Sequence, residues 1–261
     1  MKKHLFIFPA IFILAFCTFF CSNTTTNEED DKTIIVSESV GDNNYFTEER
    51  VCDDLGLIVY YPHFKRIDLV CGMQPSEDDT TIIYCAAAAF TAHILNSFRH
   101  DNIRGSHVCD GKAYYDDEEW AKGKTIGYFT YFNGKWYIGK DFSLEDVAQR
   151  GGMAFTQWWI VKSCEVVKPY HRKPPSEQNV YRSLCQKGDT LCIVQSNVIQ
   201  RYDDYMASLK AFGVDNALYL DMGPVWNYSF WRDGNDSLHH FATKPAKESD
   251  HRTNWIVFYG K

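Results

Sequence analysis

Residues 181–194 read YRSLCQKGDTLCIV, and they set the architecture expected of the chain. Gly188-Asp189 is a two-residue turn signal between apolar runs, the pattern of an antiparallel hairpin. With Gly188 and Asp189 as the loop, Lys187 faces Thr190 and Cys185 faces Cys192. Residues so opposed stand close enough for a disulfide. The same positions equally suit two buried thiols acting as small apolar side chains. Both outcomes stay open at this level.

Downstream, Asp203 is placed to cap a helix running through Phe212, with Tyr205, Leu209 and Phe212 on one face. Gly213 follows as the residue that ends it. The next stretch, GVDNALYLDMGPVWNYSFWRD (213–233), carries a short apolar strand from Ala217 to Leu220, then Asp221, then the break Met222-Gly223-Pro224. A carboxylate at the end of a buried strand, just before a Gly-Pro turn, is a common place for a working side chain. An Asp that merely caps the turn is the plainer alternative.

Upstream lie two more hairpin signals, Asp110-Gly111 within His107–Tyr114 and Asn133-Gly134 within Tyr128–Ile138. Ser143 reads as the N-cap of a short helix with an acidic first turn, closed by Gly151-Gly152. Strand-like runs occupy 33–37, 57–61, 66–70, 81–85 and 254–259, and 154–161 is apolar but for Gln157. The run Ala86–Ala89 leaves room for a close backbone approach or a ligand, or begins a helix through Ala92–Phe98. Short strands, hairpins and a few helices predict an α+β fold: a mixed, largely antiparallel sheet with a few packed helices, in one domain over residues 45–261.

The 261 residues are 45% hydrophobic with a net charge of −7, enough for a substantial core and unfavourable to nucleic acid or an anionic membrane surface as main partner. Lys2, Lys3 and His4 precede an apolar run from Leu5 to Phe20, which is the layout of an export signal over residues 1–21. Residues 22–44 then read as a polar, acidic tether. A cysteine closing such a run resembles a lipoprotein signal. Cys21 is favoured over Cys17 as the lipidated residue, giving an exported protein held at the cell envelope by a lipid anchor only. Seven further cysteines become disulfide candidates in that setting. Neither CxxC nor HExxH spacing occurs, so no metal ligand set is assigned.

The ordered blocks GKTIGYF, GGMAFTQWWIV, YRSLCQKGDTLCIV, ALYLDMGPVWNYSFWRD and HRTNWIVFYGK resemble the phosphodiester glycosidase family, in a branch of Bacteroidota lipoproteins, from about Thr81 to the C-terminus. The resemblance implies hydrolysis of a sugar-1-phosphodiester at its glycosidic C–O bond, with a phosphate monoester leaving. It places Arg182 at a family arginine, Asp221 and Gly223 in the family's LDGG block with Met222 replacing one glycine, and Gly105 and Gly111 in a family hairpin. Asn254 matches an asparagine of the last strand and Arg252 a nearby arginine. Two departures stand out: Ala86–Ala89 replaces an Asn-Gly-Gly block, removing a side-chain amide, and Pro224-Val225-Trp226 replaces a Gly-Ser run.

On that basis Asp221 and Arg182 are the expected catalytic pair, the carboxylate acting at the anomeric carbon and the guanidinium gripping the phosphate. Gly105, Gln157, Gly223, Arg252, Asn254 and Trp226 are expected at the substrate, and Tyr228, Trp231, Trp158 and Trp159 suit either sugar stacking or core packing. No cofactor is implied, with a divalent metal left open, and the expected partner is a carbohydrate phosphodiester. The competing expectation is a non-catalytic sugar-phosphate-binding lipoprotein on the same fold.

Overall fold

In the computed structural model, residues 45–91, 103–167, 178–222, 228–241 and 252–260 are described, all within one compact unit, Asp31–Lys261. In chain order the first strands are β1 (Thr47–Cys52), β2 (Leu57–Pro62), β3 (Arg66–Met73), β4 (Ile82–Ala87), β5 (His107–Cys109) and β6 (Lys112–Tyr114). Next come β7 (Ile126–Phe132), β8 (Lys135–Gly139), helix α1 (Leu144–Gln149), β9 (Met153–Lys162), β10 (Glu165–Val166), β11 (Gln178–Asn179) and β12 (Arg182–Lys187). The rest are β13 (Thr190–Ser196), β14 (Gln200–Arg201), helix α2 (Tyr202–Phe212), β15 (Asn216–Tyr219), β16 (Phe230–Arg232), β17 (Leu238–His240) and β18 (Arg252–Tyr259).

The α+β expectation is corrected here: the fold is sheet-rich, with two α-helices among the described residues. An eleven-stranded sheet runs β1-β2-β13-β12-β15-β9-β5-β6, with β7, β8 and β10 joined beside β9, and a five-stranded sheet runs β17-β16-β4-β18-β3. Every pairing described is antiparallel. The helices are too short to form a layer of their own. Instead α2 lays Tyr202, Tyr205, Met206 and Leu209 on one face of the large sheet, and α1 lays Leu144 and Val147 on β5 and β9.

Alternation decides what goes where. Along β18, Ile256 and Phe258 join the main core with Leu69, Tyr84, Leu184, Leu218 and Trp231, whereas Trp255 and Val257 face the opposite side with Cys85 and Phe230. The large sheet divides likewise, with Leu184 and Leu218 in the main core and Cys185 and Ala217 against α2. The main core thus draws on both sheets.

The hairpins form as the sequence predicts. Asp110-Gly111 and Asn133-Gly134 take positive φ at both turn residues, and Lys187 pairs with Thr190 and Cys185 with Cys192. Of the two outcomes left open for the Cys185/Cys192 pair, the bridge does not form: both are free thiols, and the Cys185 thiol turns back along its own strand toward the Ser183 carbonyl, Sγ to O 3.7 Å. Opposed register brings the backbones together but leaves the side chains free to pack under α2 as apolar groups. A second correction concerns α2. It starts at Tyr202 after Arg201, which makes no side-chain cap, so Asp203 and Asp204 sit in the first turn, where their charge suits the helix dipole. Ser143 does cap α1, its Oγ accepting from the Asp146 N–H at 3.2 Å. The signal, the tether with Cys21, and the helix considered for Ala92–Phe98 lie outside the described residues.

Candidate functional site

The two sheets meet where β4 and β15 end. Beyond β4 the chain continues through Ala88, Ala89, Phe90 and Thr91, and beyond β15 through Leu220 and Asp221. These ends run side by side. The Asp221 N–H donates to the Ala88 carbonyl at 2.9 Å, the Phe90 and Tyr219 rings lie 5.8 Å apart, and Thr91 Oγ1 donates to Asp221 Oδ2 at 3.2 Å.

Asn254 is what the alanines make room for. Its Oδ1 accepts from the Ala89 N–H at 2.7 Å and its Nδ2 donates to the Ala89 carbonyl at 3.0 Å, so the amide pairs with this segment as a neighbouring peptide would. Small residues at 86–89 let β18 approach this closely. Donors then line up toward the acid. Thr91 has one hydroxyl proton and gives it to Asp221, so in the 2.6 Å contact between Thr91 and Thr253 hydroxyls Thr253 is the donor. Asn254 Nδ2 reaches Thr253 Oγ1 at 3.4 Å. The chain Asn254, Thr253, Thr91, Asp221 presents protons to a carboxylate that is 5% exposed, which is the arrangement that satisfies a buried acceptor.

Beside this acid lies an aromatic rim. Phe90 meets Trp158 at 4.8 Å and Trp120 at 5.9 Å between ring centres, and Lys124 Nζ stands 5.5 Å over Trp158. The Arg104 N–H donates to the Phe90 carbonyl at 2.8 Å, which brings the segment before β5 to the same place. Gly105 follows with φ +96°, and a Cβ there would sit 2.1 Å from Thr156 Oγ1, so only glycine fits. Its N–H donates to Asp116 Oδ2 at 2.9 Å. Gln157 is fully buried on β9, its Oε1 accepting from the Trp158 N–H at 2.7 Å while its Nε2 has no hydrogen-bond partner.

Arg182 is elsewhere in its contacts. It is fully buried in the core, its Nε and Nη2 donate to Gln195 Oε1 at 2.9 and 2.6 Å, its Nη1 donates to Ser229 Oγ at 2.7 Å, and its guanidinium stacks on Phe241 at 4.5 Å. Burial pushes the nearby Tyr84 phenol up to about 12, against the opposing pull of the Arg182 charge. Its carbonyl accepts from the Leu220 N–H at 3.0 Å, one residue before Asp221.

The expected residues thus divide. Asp221 and Asn254 come together through the alanine segment, and Gly105 and Gln157 lie on the neighbouring wall. Gly223 and Trp226 lie outside the described residues. Arg252 opens β18 opposite Met73, and only its backbone is described. Trp159 and Trp231 belong to the main core. Thr91, Thr253, Arg104 and Asp116 were not singled out. The one available signal for the threonines was that a carboxylate after a buried strand needs donors, and Thr91 is the first hydroxyl after the alanines. Among the described residues no group of three His, Cys, Asp or Glu side chains is placed to hold a metal ion.

Of the solved structures, the catalytic domain of zebrafish N-acetylglucosamine-1-phosphodiester alpha-N-acetylglucosaminidase, auto-inhibited by its pro-peptide, superposes with TM-score 0.53 at 11% identity, covering 88% of this chain and 87% of that one. The likeness is one of fold. A hypothetical protein from Synechocystis gives TM-score 0.40 at 9% identity, covering 82% and 61%, too distant to carry weight. No protein-family profile and no curated protein matches the sequence.

Proposed function

We propose that the chain is a phosphodiester glycosidase, a hydrolase that adds water across the glycosidic C–O bond of a sugar-1-phosphodiester to give a free sugar and a phosphate monoester. The observation that carries this is Asp221: a buried carboxylate at the end of β15, anchored by its backbone to Ala88 and by its side chain to Thr91. The shared fold with a domain whose name gives that chemistry supports the substrate class. Positive charge builds on the anomeric carbon as its C–O bond breaks, and a fixed carboxylate there stabilises it or takes the proton of the incoming water. A phosphate monoester leaves readily, so no strong general acid is required of the protein.

Arg182 is assigned to the scaffold in this scheme, because three of its N–H donors go to Gln195 and Ser229 inside the core. Asn254 acts indirectly by fixing the Ala89 backbone and feeding the threonine relay. Lys124, on the aromatic rim, supplies positive charge for the diester. The proposed setting is the cell envelope, through an exported and lipid-anchored N-terminus.

The reaction is tested by hydrolysing an α-linked sugar-1-phosphodiester in heavy-oxygen water. Label in the sugar is the predicted result, and label in the phosphate would mean P–O cleavage and a different enzyme. One observation favours a second reading, sugar-phosphate binding without turnover: the alanines at 86–89 offer no side-chain amide to a ligand. Binding of the diester with no product at any enzyme concentration would select it.

A further inference from the structure

Arg104 is nine-tenths buried, and its guanidinium is engaged on one edge only. Nη1 pairs with Asp116 Oδ1 at 3.2 Å and Nη2 with Asp117 Oδ1 at 3.0 Å, while Nε is buried with no hydrogen-bond partner. A buried charged donor left unsatisfied is costly unless a ligand or water completes it. Its surroundings are aromatic. The Arg104 backbone bonds to Phe90, a Cβ on the adjacent Gly105 would stand 3.1 Å from the Trp120 ring, and Trp120 and Trp158, both only partly buried, flank Phe90.

Charge decides what this corner accepts. One guanidinium is set against two carboxylates, Asp116 and Asp117, and the Asp117 side chain is 61% exposed. With Lys124 standing over Trp158, two cations balance those two carboxylates, so the corner offers a phosphate no net positive charge. A neutral polyol meets donors and acceptors together, which is what vicinal hydroxyls require, and the partly buried indoles offer a face for the C–H side of a pyranose. Polar groups buried in this way also discriminate, since a ligand lacking the matching hydroxyl leaves them unpaired.

We propose that Arg104 and Asp117, with the rings of Trp120 and Trp158, form the subsite that reads the hydroxyl groups of the sugar, a neutral pyranose, next to Asp221. This rests on the glycosidase reading for its place in the reaction, but it is a binding claim and is tested as one. Saturation-transfer NMR and titration are run with the methyl α-pyranosides of glucose, galactose, mannose and N-acetylglucosamine, and with inorganic phosphate as a charged probe. At least one pyranoside should bind the wild-type chain, and Arg104→Met and Trp120→Ala should each weaken that binding roughly tenfold or more. Trp120→Phe should restore part of it, which a purely structural role in folding would not predict for the sugar signal alone. Thermal melts check that each variant is folded. Loss of sugar binding in the Arg104 and Trp120 variants sustains the proposal even if no diester is hydrolysed, in which event only the catalytic reading falls. Binding of no pyranoside by the wild-type chain, sugar binding indifferent to both substitutions, or phosphate binding that depends on Arg104 would overturn it.

Discussion

The backbone N–H of Asp221 donates to the carbonyl of Ala88 at 2.9 Å, and this bond ties the end of a strand in the larger sheet to the end of a strand in the smaller one. The proposed catalytic carboxylate is therefore held by both sheets at once. Its position depends on the alanine segment as much as on its own strand.

Asn254 is the clamp on that segment. Asn254→Ala removes two bonds to the Ala89 backbone in a fully buried setting and leaves both peptide groups unsatisfied. We expect a loss of about 2–4 kcal/mol in urea unfolding. A change below about 0.5 kcal/mol, the range of ordinary surface substitutions, would mean the clamp does not hold the segment.

Arg182 tests scaffold against site. Arg182→Met strands Gln195 and Ser229 beside Phe241 in the core, and Arg182→Lys cannot reproduce three directed donors from one ammonium group. Both variants should lose about 2–4 kcal/mol of stability while the KM for diester in the folded protein stays near wild type. A raised KM with unchanged stability would return Arg182 to the phosphate.

Much of the fold was legible because its signals are local. Asp110-Gly111, Asn133-Gly134 and Gly188-Asp189 specify hairpins through residues that adopt the turn, and each formed in register. The balance of helix and sheet was not legible in this way. Helical periodicity at 203–212 is real, but how many strands join one sheet is set by pairings far apart in sequence, such as β12 with β15 and β18 with both β3 and β4. The site divides along the same line. The place of Asp221 after a strand is local and readable, whereas Thr91 and Thr253 come together across a separation of 162 residues. Arg182 is ambiguous in sequence because a residue type suited to phosphate is equally suited to a buried junction such as the one it makes with Gln195 and Ser229.

Stability should fall in alkali. Burial pushes the Cys192 thiol up from 9.0 to about 12 and the Tyr84 phenol from 10.0 to about 12. Both raised values mean that the folded state holds protons that the unfolded chain releases first. The stabilisation is complete below pH 9 and is lost progressively as pH rises toward about 12. Melting temperatures measured across pH 8–11 should therefore decline above pH 9, and a flat profile would show these groups to be solvated.

Cys185 and Cys192 are unbridged and buried under α2. Alkylation of the native protein should spare both, alkylation after unfolding should modify both, and a reducing agent should leave the melting temperature unchanged. A drop in melting temperature on reduction would reveal a structural disulfide.

The central claim is that the carboxylate joining the two sheets performs chemistry. Its most direct measurement is the turnover of an α-linked sugar-1-phosphodiester by the wild-type chain beside Asp221→Asn, which keeps the shape of the side chain and the backbone bond to Ala88. The account predicts release of the phosphate monoester by wild type and a loss of roughly a thousandfold in kcat for the variant, with folding retained. Equal turnover by the two proteins would contradict it.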